Sequence, residues 1–222
     1  MGEPAYFYAV EGGDGSGKTG VVKHLADYLI GSGRPTILTR EPGGTRQGEQ
    51  IRSLILSGTD DAWNENSELL LMTAARVEHV ACVIRPAIEA GTSVVSDRYL
   101  GSTIAYQGAG RGISEDFIRL LHRVAVGDVW PDLVIVLDID PVIGLARSRG
   151  RLGAAAIDEG RFETLDLDFH NRIRQSYLDQ AARDPQRHIV IDASGEAEEV
   201  RERVIEAVKA WHTRSPVARG LD

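Results

Sequence analysis

The chain has 222 residues, 42% of them apolar, and a formal net charge of −8. This size suits one domain with its own buried core, and the acidic balance argues against a dedicated binder of duplex nucleic acid. The only cysteine, Cys82, excludes an internal disulfide and favours a reducing cytoplasm; it lies within a predicted helix and is expected to be a small buried residue. The lack of an 18-residue apolar run or a leader predicts neither a membrane span nor a signal peptide.

Short apolar runs alternate along the chain with longer segments of helical periodicity. The predicted strands cover residues 6–10, 35–39, 93–96, 133–137 and 188–191. The predicted helices cover residues 17–30, 45–56, 67–90, 114–126, 142–148, 167–182 and 196–212. Several strands are continuously apolar, which is typical of a sheet covered on both faces. The alternation predicts an α/β fold, a doubly wound parallel five-stranded sheet flanked by helices, in a single domain over residues 1–213 with a flexible tail at 214–222.

The first predicted strand runs into a glycine-rich loop, "GGDGSGKT". The loop comprises Gly12, Gly13, Asp14, Gly15, Ser16, Gly17, Lys18 and Thr19. It fits the phosphate-binding pattern G-x-x-x-x-G-K-[ST] between a strand and a helix. Bare backbone amides can then point at phosphate oxygens, and the helix adds its positive end. We expect the loop to bind a nucleoside triphosphate, with Lys18 acting catalytically at the β- and γ-phosphates and the Thr19 hydroxyl holding Mg²⁺.

Four further segments follow in order. They are "TREPGGT" at 39–45, "DRYLGSTIAYQGAGRG" at 97–112, "ARSRGR" at 146–151 and "RFE" at 161–163. Together with the glycine loop they resemble the thymidylate kinases, which transfer a phosphate from ATP to dTMP, and the resemblance extends to about Leu178. The arginines of "ARSRGR" resemble the bacterial branch, whose lid supplies catalytic arginines. The resemblance implies a P-loop nucleotide kinase fold with a mobile lid at about 147–163, ATP and Mg²⁺ as cofactors, and a homodimer.

The resemblance assigns residues to the acceptor's phosphate and sugar. Asp14 would lie near the sugar 3′-hydroxyl and the acceptor phosphate, and Glu41 and Pro42 would shape the pocket beside the sugar. Arg52 and Arg98 would hold the acceptor phosphate. The position of Arg98 supports this role independently of the resemblance, because it follows a strand end, where a sheet of this class opens its ligand-binding crevice. An arginine there can bind a dianion with two parallel hydrogen bonds. We therefore count Arg98 among the catalytic residues.

The resemblance also assigns a base pocket. Arg76 and Thr103 would read the base, Gln107 would help to close the pocket, and Tyr106 would pack under the deoxyribose. Met72 and Arg76 are four residues apart on a predicted helix and so face the same way. The family stacks thymine on an aromatic residue where this chain has Met72, which keeps open a paralogue that acts on a modified pyrimidine deoxynucleotide.

The acceptor of such a reaction is already an anion, so it needs no strong general base. The reaction needs charge neutralisation and alignment instead. By resemblance, Asp97 would orient Mg²⁺ and its waters. Of the lid arginines, Arg149 or Arg151 is the predicted catalytic residue, with Arg161 as a further candidate.

Two more distant functions also fit parts of the pattern. A deoxynucleoside kinase would use Asp97 as a base on a neutral 5′-hydroxyl, but it would leave the arginines for an acceptor phosphate unexplained. A nucleotide-dependent switch would need a base-reading N-K-x-D motif, which the chain lacks. The predicted partner is therefore a nucleoside monophosphate, dTMP or a related pyrimidine deoxynucleotide, and neither a nucleic acid nor a membrane.

Overall fold

Five parallel strands form the centre of the protein. The computed structural model describes residues 4–57, 62–152, 161–162 and 165–214, without the side chains of residues 149–152. The strands are β1 Phe7–Gly12, β2 Thr36–Arg40, β3 Ser93–Asp97, β4 Leu133–Asp138 and β5 His188–Asp192. Their order in the sheet is β2-β3-β1-β4-β5. The predicted fold class is confirmed, and each strand lies within two residues of its predicted range.

Helices cover both faces of this sheet. In chain order they are α1 Lys18–Gly31, α2 Arg46–Leu56, α3 Glu65–His79, α4 Arg85–Glu89, α5 Leu100–Thr103, α6 Glu115–Ala125, α7 Pro141–Leu152, α8 Leu167–Arg183 and α9 Ala197–Arg214. Helix α9 includes the first residue of the predicted tail, and residues 215–222 lie outside the described part. Among the described residues, no helix combines the length and the hydropathy needed to cross a bilayer.

Two π-helical segments, Val80–Ile84 and Ile104–Gly110, depart from the predicted elements. The first divides the helix predicted over residues 67–90 into α3, a π-helical turn and α4. The second continues α5 through a stretch for which no helix was predicted. Such π-helical turns are frequent at functional sites, and the second one carries two of the predicted acceptor residues, Tyr106 and Gln107.

The strand β1 explains why both faces of the sheet are covered. Tyr8 and Val10 point into a core formed with α1 and α9, whereas Phe7 and Ala9 point into a second core on the opposite face. All four side chains are fully buried. Alternate residues of a strand face opposite sides, so a strand between two helical layers is apolar at every position.

The same topology places the functional loops together. Strand β1 lies between β3 and β4 in the sheet. The chain therefore passes β1 after β3 and adds β4 along the other edge of β1. Val10 is in register with Asp97, and Gly12 is in register with Leu137. The glycine loop and the segment after Asp97 therefore leave the sheet side by side, at the crevice where ligands bind in such folds.

Cys82 corrects one expectation from the sequence. It was expected to be a small buried residue, but it is exposed. Val80 and Ile84 of the same π-helical segment are buried. Because residues four apart share a face of the helix, Cys82 lies on the opposite, solvent-facing side.

Candidate active site

The glycine loop has the backbone conformation that its composition predicts. Gly12, Gly15 and Gly17 all have positive φ angles, the region that favours glycine. At Gly15 an added Cβ would overlap the carbonyl oxygen of Gly144 in α7, so the loop packs tightly against that helix. At Gly13 and Gly17 an added Cβ would meet no protein atom within 4 Å. These two positions leave room for a ligand to approach the backbone.

Lys18 lies folded over the loop from the first residue of α1. Its Nζ donates hydrogen bonds to the carbonyl oxygens of Gly12 at 3.1 Å and Gly13 at 2.8 Å. Burial lowers the pKa of Lys18 to about 8, and the nearby positive charge of Arg98 acts in the same direction. A polyanion bound in the loop would favour the charged form of this lysine.

Thr19 and Asp97 lie side by side, as expected for residues that share a cation. The Thr19 hydroxyl donates a hydrogen bond to Asp97 Oδ2 at 3.2 Å. Both offer hard oxygen atoms, which Mg²⁺ prefers, and Mg²⁺ completes its shell with waters and substrate phosphates rather than with an all-protein cage. The described residues contain no group of three or more His, Cys, Asp or Glu arranged around a metal. The donor set therefore fits Mg²⁺ bound together with a nucleotide.

Arg98 connects the glycine loop to the rest of the site. Its Nη2 donates to Asp14 Oδ1 at 2.7 Å and its Nη1 to the Gly12 carbonyl oxygen at 3.1 Å. Its backbone has a φ of 68°, a conformation that costs a non-glycine residue energy. Burial opposes ionisation of Asp14, but Arg98 and Lys18 outweigh burial and lower the pKa of this carboxyl.

Glu11 supports the strained turn around Arg98. This buried carboxyl group accepts hydrogen bonds from the Tyr99 backbone N–H at 2.9 Å and from the Ser102 hydroxyl at 2.5 Å. Ser102 Oγ in turn lies 3.0 Å from Arg98 Nη1 and 2.8 Å from the Tyr177 hydroxyl. Burial raises the pKa of Glu11 to about 7 despite these hydrogen bonds. The carboxyl thus links the end of β1 to the guanidinium group through one hydroxyl.

Tyr106 completes a cluster with Asp14 and Arg98. Its hydroxyl donates to Asp14 Oδ2 at 2.9 Å and accepts from Arg98 Nη2 at 3.2 Å. The guanidinium carbon of Arg98 lies 5.0 Å from the centre of the tyrosine ring, within the range of a cation–π contact. The three residues thus form one polar unit beside the glycine loop.

A second polar unit also borders the cleft. Arg76 donates from Nε to Glu41 Oε2 at 2.7 Å and from Nη2 to the Thr103 hydroxyl at 2.8 Å. His79 Nδ1 lies 2.8 Å from the other oxygen of Glu41. Burial opposes ionisation of Glu41, but Arg76 outweighs it and lowers the pKa of the carboxyl. Nearby, Arg52 Nη1 donates to the Pro42 carbonyl oxygen at 2.9 Å.

One cleft of about 440 Å³ joins the two units. The predicted site residues that line it are Asp14, Gly15, Gly17, Lys18, Thr19, Glu41, Pro42, Arg52, Met72, Arg76, Asp97, Arg98, Thr103, Tyr106 and Gln107. Gly12, Gly13 and Ser16 belong to the loop but do not line the cleft. The structure thus brings together residues that are as far apart in the chain as Asp14 and Gln107.

Comparison with known proteins identifies the family. The family model described as thymidylate kinase matches residues 10–204. A thymidylate kinase of Cereibacter sphaeroides is 60% identical over 217 residues, which cover 98% of this chain and 100% of the relative. The chain belongs to the thymidylate kinase family. A further thymidylate kinase, from Thermomicrobium roseum, is 49% identical over 200 residues, covering 90% of this chain and 92% of the relative.

A solved structure agrees with this assignment. The crystal structure of thymidylate kinase from Ehrlichia chaffeensis superposes with a TM-score of 0.75 at 33% identity, covering 92% of this chain and 99% of the other. The family, the fold class and the assignment as an ATP-dependent phosphotransferase, all predicted from the sequence, are confirmed.

In this member of the thymidylate kinase family, the described arginines of the predicted lid contact other protein groups. Arg147 donates to the carbonyl oxygens of Ala193 and Ser194, each at 2.9 Å. Arg161 is fully buried and pairs with Glu68 at 2.9 Å. The two residues predicted to be catalytic, Arg149 and Arg151, have side chains outside the described part, so their role stays a prediction.

Among the residues that the sequence reasoning missed, three illustrate what the structure adds to the site. Glu11 and Ser102 connect β1 to Arg98, and Phe162 places an aromatic ring on the cleft wall. A carboxylate at the buried end of a strand, directly before a glycine loop, was the available signal for Glu11. Phe162 was visible only as part of "RFE", because nothing in the sequence shows which side of the cleft that segment covers.

Proposed function

We propose that this protein transfers the γ-phosphate of ATP to dTMP, giving dTDP and ADP, within the cleft that joins the glycine loop to Arg98. The activity is that of the family, and the family match confirms the activity predicted from the sequence. The observation that carries the site assignment is the continuity of the cleft. It runs from Lys18 and Thr19, past Arg98, to Arg76 and Gln107.

The donor end is proposed to bind the triphosphate through backbone amides. The open faces of Gly13 and Gly17 support this, since phosphate oxygens could approach the backbone there. Lys18 would exchange its loop carbonyl partners for phosphate oxygens. Thr19 and Asp97 would hold Mg²⁺, which neutralises charge on the transferred group when it is bound. The triphosphate would then lie end-on toward Arg98.

The acceptor phosphate is proposed to bind between Arg98 and Arg52. A phosphate dianion is already a nucleophile, so the protein has to align and neutralise it rather than deprotonate it. Arg98 suits this role because it is partly buried and is held by hydrogen bonds to the Gly12 carbonyl oxygen and to Asp14. Tyr106 lies against the same cluster, where its ring would pack under a deoxyribose. Arg149 or Arg151 of the lid would supply further positive charge.

The base is proposed to lie at the far end of the cleft, between Met72 and Phe162. Both side chains line that end together with Arg76, Thr103 and Gln107. Met72 stands where the family has an aromatic residue, and this difference favours testing modified pyrimidines beside dTMP.

The protein is further proposed to act as a homodimer in the cytoplasm. Helices α2, α3 and α6 carry exposed apolar side chains, and α6 alone presents Phe117, Leu120 and Val124, which are 49%, 50% and 77% exposed. Their spacing places all three on one face of the helix, and an exposed apolar face favours burial against a second copy. The single, unpaired cysteine supports a reducing compartment.

The decisive experiment compares acceptors at saturating ATP and Mg²⁺. The panel contains dTMP, dUMP, 5-substituted dUMPs, dCMP, dGMP and thymidine. The proposal expects the highest kcat/KM with dTMP and no turnover of thymidine, which lacks the acceptor phosphate. A higher kcat/KM with a 5-substituted dUMP would favour the modified-pyrimidine alternative, and phosphorylation of thymidine alone would favour a deoxynucleoside kinase. Slow ATP hydrolysis without any transfer would favour a nucleotide-dependent switch.

A further inference from the structure

The side-chain amide of Gln107 makes a hydrogen bond through its nitrogen but not through its oxygen. Its Nε2 donates a hydrogen bond to Glu68 Oε1 at 2.8 Å. Its Oε1 is buried and has no hydrogen-bond partner among the described residues. The side chain is fully buried yet lines the cleft. Burying an unpaired amide oxygen is unfavourable, so this atom is suited to accept a hydrogen bond from a ligand.

Glu68 determines which end of the Gln107 amide lacks a hydrogen-bond partner. Its carboxylate is fully buried and also contacts Arg161 at 2.9 Å and Arg111 at 3.5 Å. A carboxylate only accepts hydrogen bonds, whereas an amide has one donating and one accepting end. Turning the Gln107 amide over would set its oxygen against the oxygen of Glu68. The buried carboxylate therefore holds the amide with NH₂ inward and leaves the oxygen for the ligand.

We propose that Glu68 is a specificity-determining residue, which orients Gln107 so that its oxygen accepts the N3–H of a pyrimidine 2,4-dione and disfavours cytosine. The inference rests on the proposed function, because it assumes that the base of the acceptor occupies this end of the cleft. Glu68 acts through Gln107 and is a positioning residue rather than a catalytic one.

The chemistry of the bases supports this selection. Thymine and uracil carry an N3–H donor beside the O4 acceptor, whereas cytosine carries an N3 acceptor beside an amino donor. Arg76, which also lines the cleft, can only donate. One fixed acceptor and one fixed donor thus complement a dione and oppose cytosine at both positions. Neither group reads the 5-methyl position, so the selection applies equally to dUMP and to 5-substituted dUMPs.

The test compares dTMP with 5-methyl-dCMP, which carries the same methyl group and differs only at position 4 and in N3 protonation. In the Glu68→Gln variant, the new amide can accept or donate, so Gln107 is free to turn over. We expect the ratio of kcat/KM for dTMP to kcat/KM for 5-methyl-dCMP to fall roughly ten- to hundredfold. Glu68→Asp keeps an accepting carboxylate and should retain most of the ratio, even where its absolute rates fall.

A matched control separates orientation from ion pairing. Arg111→Gln removes one cationic partner of Glu68 but leaves the carboxylate, so its ratio should stay within about twofold of wild type. The inference is overturned if Glu68→Gln also stays within twofold, or if Arg111→Gln lowers the ratio as far as Glu68→Gln does. Thermal unfolding of each variant shows whether it is folded.

A second variant decides the matter if Glu68→Gln does not fold. Gln107→Met removes the oxygen that Glu68 is proposed to orient, and it keeps the ion pairs of Glu68. A tenfold or greater fall in the ratio supports the inference, and an unchanged ratio overturns it. A wild-type protein inactive on dTMP would overturn the proposed function as well, whereas an active wild-type protein whose preference survives these changes overturns this inference alone.

Discussion

The two ends of the cleft are proposed to offer positive charge to phosphates by different means. The donor end is one continuous stretch of eight residues, whose binding groups are mostly backbone amides freed by glycine. The acceptor end is assembled from separate segments, and its groups are paired side chains. Arg76 and Glu41 form a buried pair, and the partly buried Arg98 pairs with Asp14 of the loop. A backbone site depends on local conformation, whereas a buried network fails when any one member loses its partner. The following changes test that contrast.

The largest effect is expected at Lys18, the donor-end side chain that is proposed to contact the phosphates. Lys18→Ala should lower kcat by roughly 10²- to 10³-fold or more, because no backbone amide replaces its charge. Steady-state kinetics at saturating ATP measure this. The control is Lys23→Ala, an exposed lysine of the same helix, which should retain full activity. Activity of Lys18→Ala within tenfold of wild type would disprove the role of this lysine.

Glu11 tests the acceptor network through pH. Because folding raises its pKa from 4.5 to about 7, the folded chain binds a proton more tightly than the unfolded chain does. The free energy of unfolding should therefore decrease as the pH rises from about 4.5 to 7, by at most about 3 kcal/mol from this group. Urea unfolding at pH 5 and pH 7.5 measures the slope.

Glu11→Gln should remove that part of the slope. Glu49→Gln is the matched control, since a hydrogen bond from Arg40 lowers the pKa of Glu49 and its titration lies below this window. Equal slopes in wild type and Glu11→Gln would contradict the prediction.

Arg98→Lys separates charge from geometry at the acceptor phosphate. Lysine keeps the charge but cannot make the forked contacts of a guanidinium group. We expect kcat/KM for dTMP to fall roughly ten- to hundredfold, with a smaller change in the KM for ATP. Arg174→Lys alters an arginine that pairs with Asp138 at 2.6 Å and does not line this cleft. If the control lowers kcat/KM as much, the special role of Arg98 is refuted.

The smallest effect concerns Met72. Met72→Phe should lower the KM for dTMP about fivefold, because a flat ring stacks better on a pyrimidine than a flexible thioether does. Leu70→Phe adds a ring to the exposed side of the same helix and should leave the KM unchanged. A higher KM in Met72→Phe would indicate that this pocket accommodates a bulkier base than thymine.

The contrast between the two ends also explains what the sequence could predict. Strands and the glycine loop follow from local apolar runs and from a contiguous motif, so β1 to β5 and Lys18 were predictable from the chain alone. The acceptor residues came from a family resemblance, since their contacts join helix α3 to the segment after β3.

Features that depend on tertiary packing could not be predicted from the sequence. The π-helical segment Ile104–Gly110 contains two glycines and has no helical periodicity from which it could be predicted. Cys82 was misjudged because a π-helical turn changes which residues of a helix face the core. The pairing of Glu68 with Gln107 could not be foreseen, because two residues 39 positions apart meet only after the fold is complete.

The contact between Gly15 and Gly144 limits how the proposed lid could move. A methyl group at position 144 would lie 2.5 Å from the carbonyl oxygen of Asp14, so the first turn of α7 rests directly on the glycine loop. That turn could not move toward a nucleotide bound in the loop without displacing the loop itself. Bending during the proposed closure would therefore be confined to residues after Gly144, and a triphosphate bound by the loop would also steady the first turn of α7.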